Sequence, residues 1–283
     1  MRANRPRVAV VGHVEWVQFA LVPHVPRAGD VLHARDPFEE PAGGGAVAAV
    51  QLARLAGSCT LITALGDDEH GRRSVARLNE LGVHARVATR ADPTRTAVTL
   101  VDEAGERTIT TFGARLEASG EEDRLPWSML EDMDAVYFTA GDAGALRAAR
   151  RARVLVASPR ASDALGQGVR LDALVLSEDD TVERRLTARA QDEADLVVFT
   201  EGARGGTYRE RSGGSGSWAP ATPPGAVVDS YGCGDSFAAG LTYGLGAGLE
   251  VGAALALAAR CGAVCLTGRG PYQRQLTASE LHG

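Results

Sequence analysis

Short apolar runs alternate with amphipathic segments along most of this 283-residue chain. Runs rich in β-branched side chains predict strands, whereas apolar residues that recur every three or four positions predict helices. The predicted strands lie at 8–12, 14–22, 60–65, 83–89, 96–102, 106–112, 135–139, 154–157, 173–177 and 196–200. The predicted helices lie at 43–57, 68–81, 143–151, 180–190, 236–245 and 251–265.

This alternation predicts an α/β fold: a doubly wound, mostly parallel central sheet with helices on both faces. The two β-rich runs around Glu103-Ala104-Gly105 predict a hairpin. We expect a single domain over residues 1–283, with a small β layer formed by insertions at about 13–40 and 95–113. The Ser/Gly-rich stretch at 212–217 predicts a flexible surface turn.

Composition excludes several classes of function. The net charge is −6 with the two signs dispersed, so no nucleic-acid partner is expected. No apolar run is long enough to span a membrane or to serve as a signal segment, which favours a cytoplasmic protein. The chain contains no lysine, and this excludes a P-loop, a pyridoxal Schiff base and the strand lysine of protein kinases.

The segment V-V-D-S-Y-G-C-G-D-S-F at 227–237 carries the clearest chemical signal. Gly232 and Gly234 allow successive N–H groups to turn toward one point at a helix N-terminus, which favours an anion. Asp235 adds a carboxylate at the same place. A base beside an anion site is what phosphoryl transfer to a hydroxyl group needs.

Two simpler interpretations of this segment are an ordinary helix start with an acidic cap and a dinucleotide-binding turn. Too few residues follow Gly232 for the rest of a dinucleotide-binding sheet, and Asp235 would oppose a pyrophosphate. A second glycine-rich helix start, Gly43-Gly44-Gly45, would let the backbone approach a ligand closely. Alone it is a weak signal, because glycine also serves close helix packing.

Together the two segments resemble the signatures of the PfkB (ribokinase-like) carbohydrate kinase family. The second signature is usually D-T-x-G-A-G-D, and four positions match it: Asp229, Gly232, Gly234 and Asp235. Ser230 and Cys233 replace the usual Thr and Ala. The resemblance extends over about residues 8–275 and implies a ribokinase-like fold with a β-sheet lid.

The resemblance also implies the ligands and their sites. Asp235 would be the base, the N–H groups of Gly232, Cys233 and Gly234 would hold the developing charge, and Gly43 and Gly44 would contact the sugar. ATP would bind at a loop of T-x-G-x-x-G type and at two further places, with the residues Thr200, Gly202, Gly205, Ser177 and Gly270. Mg²⁺ would be reached by Asp180, and Asp229 would orient the turn or help a monovalent cation such as K⁺.

The departures from the family concern the acceptor. An Asn and an Asp that usually face the sugar from the first lid strand are replaced by Glu15 and Val17, and a further Asn by Ala48. Alternation puts Glu15 and Val17 on one face of the strand, so Glu15 could still supply a carboxylate. Cys233 is expected to be modestly reactive in the free protein, because a helix N-terminus favours a thiolate.

The sequence therefore predicts an ATP-dependent kinase for a small sugar or nucleoside, and the resemblance allows a homodimer through the β lid. Three alternatives stay open: a non-catalytic sugar or nucleotide sensor, a nucleoside kinase and a phosphosugar kinase. The last would need arginine in the acceptor pocket, for which Arg35, Arg107 and Arg115 are candidates.

Overall fold

A computed structural model describes residues 5–122, 124–161 and 163–281. The strands are β1 Val8–Val11, β2 Glu15–Leu21, β3 Arg35–Ala42, β4 Cys59–Gly66, β5 Val83–Arg90, β6 Thr96–Val101, β7 Arg107–Phe112, β8 Ala135–Phe138, β9 Val154–Ala157, β10 Leu171–Ser177, β11 Ala194–Thr200, β12 Gly206–Glu210 and β13 Ser215–Trp218. The α-helices are α1 Gly44–Ala56, α2 Glu69–Glu80, α3 Ala143–Ala149, α4 Thr181–Leu186, α5 Ala188–Glu193, α6 Cys233–Gly246 and α7 Val251–Cys265. None of the described helices combines the length and the apolar character needed to cross a bilayer.

The main sheet has the strand order β13-β12-β11-β10-β9-β8-β1-β4-β5. All its pairs are parallel except those of β12 and β13, which form an antiparallel edge. The chain runs from β1 outward to β4 and β5, and then returns to the other side of β1 at β8. Such a reversal opens a crevice at the carboxyl ends of the two central strands, where open α/β sheets bind ligands.

A smaller sheet, called the small sheet below, has the order β3-β2-β6-β7. Strand β2 pairs antiparallel with β3 and parallel with β6, and β6 and β7 form the hairpin expected around Gly105. Its inner face packs toward the crevice through aromatic contacts. The Phe19 ring stacks on Phe38 and meets Tyr231 edge-on, with 4.8 Å between ring centroids in both pairs.

The predicted fold class is confirmed, and three local predictions need correction. Strand β3 was missed because its sequence is charged and contains two prolines; its pairing with β2 makes it a strand. The predicted surface turn at 212–217 is instead partly strand, since β12 and β13 flank a short turn. The predicted helix at 180–190 divides into α4 and α5, which meet at Thr187.

Helices α6 and α7 pack closely because small residues line their interface. A Cβ atom added at Gly240 would lie 2.7 Å from the Cys261 sulfur and 2.9 Å from the Ala258 Cα. Distances below 3 Å mean that the backbone of α7 would have to move. Gly240 therefore fixes how near the two helices lie.

We expect Gly240→Ala to lower the free energy of unfolding by about 1–3 kcal/mol, the usual effect of overpacking. Gly252→Ala is the matched control, because Gly252 is also helical but a Cβ there meets nothing within 4 Å. The control should be neutral or stabilising by up to about 1 kcal/mol, since alanine favours helix more than glycine does. Guanidinium unfolding measures both, and equal stability of the two variants would disprove the close packing.

Candidate active site

The turn before α6 has the shape expected of an anion site. Gly232 caps the helix with φ 80° and ψ 2°, a left-handed conformation that favours glycine. A Cβ there would also lie 2.8 Å from Val47 of α1. At Gly234 a Cβ would meet nothing within 4 Å, so a ligand can come close to the backbone.

The N–H groups of this turn are not equally available. Cys233 N–H points at the Ser230 carbonyl, with a long N···O distance of 3.5 Å. In the described part of the chain, the N–H groups of Gly232 and Gly234 have no backbone carbonyl as partner. These two donors, together with the positive end of the α6 dipole, form the core of the anion site.

Asp229 fixes the turn before α6 through hydrogen bonds to its carboxylate. Its side chain is 2% exposed, and its two oxygens accept the N–H groups of Tyr231 at 2.8 Å and Gly270 at 2.9 Å. Gly270 is itself buried, with φ 63°, and a Cβ there would lie 2.6 Å from the Phe38 ring. Asp229 thus ties the turn to the segment after α7, which agrees with its expected orienting role.

The two glycine-rich segments meet at Asp235. A Cβ added at Gly44 would lie 2.9 Å from Asp235 Oδ1 and 3.3 Å from Thr139 Oγ1. Asp235 is 8% exposed in the first turn of α6. The glycine at position 44 therefore leaves space for the carboxylate, and the N-termini of α1 and α6 come together over the ends of β1 and β8.

Arg160 is a site residue that sequence reasoning missed. Its Nε lies 3.7 Å from Asp235 Oδ1, and its Cδ lies 3.3 Å from the Cβ position at Gly44. Arg160 follows β9, and its position could have been inferred from the rule that strand carboxyl ends line the crevice. No motif marks it, because it stands in an ordinary Ser-Pro-Arg turn.

Glu15 lies in a buried polar cluster at the start of β2. Its oxygens lie 3.7 Å from His13 Nε2 and 3.4 Å from Arg95 Nε. Burial opposes its ionisation, but the contact with His13 and the charges of His13, Arg95 and Arg160 hold its pKa below the ordinary value. Glu15 is therefore a carboxylate at neutral pH.

This cluster has unused hydrogen-bonding capacity. His13 Nε2 lies 3.3 Å from the Gly44 nitrogen and 3.7 Å from Glu15 Oε1. Within the described ranges, His13 Nδ1 is buried without a hydrogen-bond partner, while Glu15 Oε2 and Arg95 Nε, which also lack one, form an ion pair with each other at 3.4 Å. Buried polar atoms are nearly always satisfied, so His13 Nδ1 is an exception among the described residues. Val17 and Ala48 are fully buried and make no polar contribution.

The predicted nucleotide residues lie beside this region. Ser177 and Thr200 are paired at the carboxyl ends of β10 and β11, the strands that follow β9 in the sheet. Gly202 and Gly205 have positive φ values of 57° and 88° in the loop after Thr200. A Cβ at Gly205 would lie 2.2 Å from the Trp218 carbonyl oxygen, so a residue with a side chain would clash with the end of β13. Their contact with a nucleotide stays a prediction.

The carboxylates predicted to hold metal lie in different surroundings. Asp180 is exposed just before α4, and its N–H lies 3.4 Å from the Ser177 carbonyl. Asp229 is buried and already accepts two N–H groups. Among the described residues, no group of three or more His, Cys, Asp or Glu side chains could hold a metal ion. Mg²⁺ in kinase sites is held by one or two carboxylates plus phosphates, so Asp180 fits that donor set.

The three arginines expected for a phosphosugar are distributed differently. Arg107 donates to Ser230 O and Ser230 Oγ, both at 2.9 Å, and so links β7 to the turn before α6. Arg35 pairs with Glu103 at 3.1 Å on the exposed small sheet, and Arg115 pairs with Glu117 at 2.5 Å. Of these three side chains, Arg107 is the one that contacts the turn.

The environment of Cys233 contradicts its expected reactivity. The neighbouring Cys265 thiol and burial both raise the pKa of the Cys233 thiol above the ordinary value. Arg107 favours the thiolate, but its charge is a smaller influence. The thiol is therefore protonated at neutral pH even without a ligand. The helix dipole, which favours the thiolate, has a smaller effect than the influences that raise the pKa.

This chain is similar to a known protein family, to characterised proteins and to solved structures. A family model described as pfkB family carbohydrate kinase matches residues 5–163 and 170–278. An ATP-dependent ribose-1-phosphate kinase from Halopiger xanaduensis is 28% identical over 274 residues, which cover 91% of each protein. A fructokinase from Klebsiella pneumoniae is 32% identical over 286 aligned positions, covering 84% of this chain and 91% of the relative. The structure of ribokinase from Giardia lamblia shares the fold with a TM-score of 0.79 at 17% identity, and the match covers 98% of each chain.

We expect Cys233 to react with a disulfide reagent at pH 8 at least about tenfold more slowly than a small model thiol, because little of it is thiolate. The other cysteines, Cys59, Cys261 and Cys265, are buried, so labelling of the native protein reports Cys233. Cys233→Ala gives the blank. Cys265→Ala removes the neighbouring thiol that raises the pKa of Cys233 and should accelerate the reaction. Labelling of the unaltered protein at the rate of the model thiol would contradict the raised pKa.

Proposed function

The chain belongs to the pfkB family of carbohydrate kinases, and we propose that it transfers the γ-phosphoryl group of ATP to a hydroxyl group of a small sugar or a related metabolite. The observation that carries this proposal is the contact between Gly44 and Asp235. It brings a carboxylate base, the N–H groups of a left-handed glycine turn and two helix N-termini to one place.

In the proposed reaction, Asp235 accepts the proton of the acceptor hydroxyl as its oxygen attacks phosphorus. The new P–O bond forms while the bond from phosphorus to the ADP oxygen breaks, so the proton ends on Asp235 and the electron pair on ADP. The N–H groups of Gly232 and Gly234 stabilise charge on the phosphoryl oxygens. Loss of one such donor typically costs about 10²–10³ in rate.

ATP is proposed to lie over the ends of β10 and β11, with its phosphates toward β9 and the turn before α6. This order follows from the sheet, in which the strands that carry Ser177 and Thr200 are next to those that carry Arg160 and Thr139. Mg²⁺ would be held by Asp180 together with the phosphates, and it would supply charge neutralisation. A monovalent cation such as K⁺ could use the remaining lone pairs of Asp229.

The acceptor is proposed to bind under the small sheet, between Glu15 and Gly43-Gly44. Glu15 would provide a carboxylate, and His13 Nδ1 a buried nitrogen that has no hydrogen-bond partner among the described residues. Closure of the small sheet would exclude water and limit ATP hydrolysis. A non-catalytic sensor is less well supported, because binding alone would not need the base and the glycines that make room for it.

We expect Asp235→Asn to lower kcat by roughly 10²–10⁴, the usual contribution of a positioned base. The fold and ATP affinity should be retained, since asparagine has the same shape. Steady-state kinetics with sugar acceptors, together with circular dichroism and ATP binding, test this. A variant with near-normal turnover would show that another group removes the proton.

A phosphosugar acceptor is favoured by one further observation, the position of Arg160. A guanidinium group matches phosphate geometry, and this one lies beside both Asp235 and Gly44. An acceptor phosphate would draw Arg160 away from Asp235 and leave that carboxylate to the hydroxyl group. The relative from Halopiger xanaduensis is named for a phosphorylated sugar.

Arg160→Gln and Glu15→Gln separate the two acceptor classes. For a phosphosugar, Arg160→Gln should raise the acceptor KM by about 10–100-fold, because a charged hydrogen bond is lost, and Glu15→Gln should matter less. For a neutral sugar the order of the two effects should reverse. The measurement is kcat and KM over ribose, fructose and their monophosphates, with Arg147→Gln on the exposed face of α3 as control. Equal effects of Arg160→Gln on both classes would reject the phosphosugar reading.

A further inference from the structure

A cavity lined by several arginines lies outside the candidate active site. It has a volume of about 310 Å³ and lies between α1, α2, β3 and the segment after α7. Three arginines line it, Arg54, Arg77 and Arg269. None of the residues assigned above to the base, the anion turn or the nucleotide loop belongs to its wall.

The positive charge of this cavity is only partly neutralised. Arg77 forms a bidentate pair with Glu40, with a shortest distance of 2.8 Å, and a second pair with Glu80 at 3.0 Å. Neither Arg54 nor Arg269 forms an ion pair with any carboxylate of the described residues. Two guanidinium charges thus face the cavity without a counter-charge.

The donors of these two arginines are also largely unused. Arg54 Nη2 donates to the Tyr272 carbonyl at 2.9 Å, and Arg269 Nη2 donates to the Asp36 carbonyl. The Nε atoms of both residues are buried and lack a hydrogen-bond partner in the described structure. A guanidinium has several N–H donors, so both side chains can still bind an acceptor.

Like charges crowd Arg54. Burial and the neighbouring guanidinium groups of Arg274 and Arg77 lower its pKa, and Glu280 offsets them only in part. Leaving a partly buried charge uncompensated is unfavourable, and a bound anion would remove that cost. The guanidinium of Arg269 is held in place by stacking on Phe38, 4.4 Å from the ring centroid.

We propose that this cavity binds the phosphate group of a small phosphorylated metabolite. Two unpaired guanidinium groups match the charge of a phosphate dianion better than that of a single carboxylate. The volume is at the lower end of small-molecule sites and exceeds what inorganic phosphate needs. The wall also contains Gln273 and the carboxylate of Glu40, which is paired with Arg77. Its other members, Phe38, Leu81, Pro271 and Tyr272, give the rest of such a molecule an apolar and aromatic surface.

Calorimetric titration at constant ionic strength tests this site with three probes: inorganic phosphate, ribose 5-phosphate and acetate. Arg54→Gln and Arg269→Gln should each weaken phosphate binding at least about tenfold, because a charged hydrogen bond is lost. Arg72→Gln is the matched control on α2, since Arg72 is exposed and pairs with Asp67 outside the cavity. Tighter binding of ribose 5-phosphate than of inorganic phosphate would identify an ester as the ligand.

The same titrations in an Asp235→Asn background, with and without saturating ATP, separate this site from the active site. Binding that persists with ATP and depends on Arg54 and Arg269 supports the proposal, whether or not the protein turns over a sugar. Three results would overturn it: no phosphate binding, equal binding by all variants, or loss of binding on addition of ATP. Tighter binding of acetate than of inorganic phosphate would also contradict the proposal, because it would show that the site prefers a carboxylate. Should one arginine variant not fold, the other still decides.

Discussion

The contact between the first turns of α1 and α6 is the constraint on which the site depends. Gly44 leaves room for the Asp235 carboxylate, and Gly232 leaves room for Val47 on α1. A Cβ at Gly44 would displace the Asp235 carboxylate, and a Cβ at Gly232 would press against Val47, because both distances are below 3 Å. Since both helices begin here, their positive dipole ends add at one point, over the crevice between β1 and β8. Since the chain has no lysine, the proposed reaction would rely on this backbone charge, on arginine and on Mg²⁺ to hold the phosphoryl oxygens.

Most of the fold could be predicted because its signals are local. The α7 bounds follow from small apolar residues at helical spacing, and the parallel strands from short β-branched runs. Strand β3 could not be predicted, since Arg35, Asp36, Glu39 and Glu40 give it no apolar alternation; long-range pairing with β2 decides its conformation. The break at Thr187 likewise depends on packing, because the sequence around it continues a helical pattern.

The residues of the candidate site also fall into those that the sequence could place and those that it could not. The motif residues could be placed from sequence because glycine and aspartate are needed for reasons of backbone geometry and charge. Arg160 and Arg95 could not, since an arginine in a loop carries no local signal of what it will face. The thiol of Cys233 shows the same limit. Its position at a helix start favours a thiolate, but burial and the thiol of Cys265, 32 positions later in the chain, raise its pKa instead.

The arginine-lined cavity and the candidate active site share structural supports. Tyr272 lines the cavity, and its hydroxyl group donates to the carbonyl of Pro41, two residues before Gly43. Phe38 lines the cavity too, and its ring stacks on Phe19 and limits the space at Gly270, whose N–H group holds Asp229. A shift of Phe38 or Tyr272 would therefore move the starts of both glycine-rich turns. Because protein interiors are closely packed, a substitution at Phe38 or Tyr272 would be felt by the residues around both places.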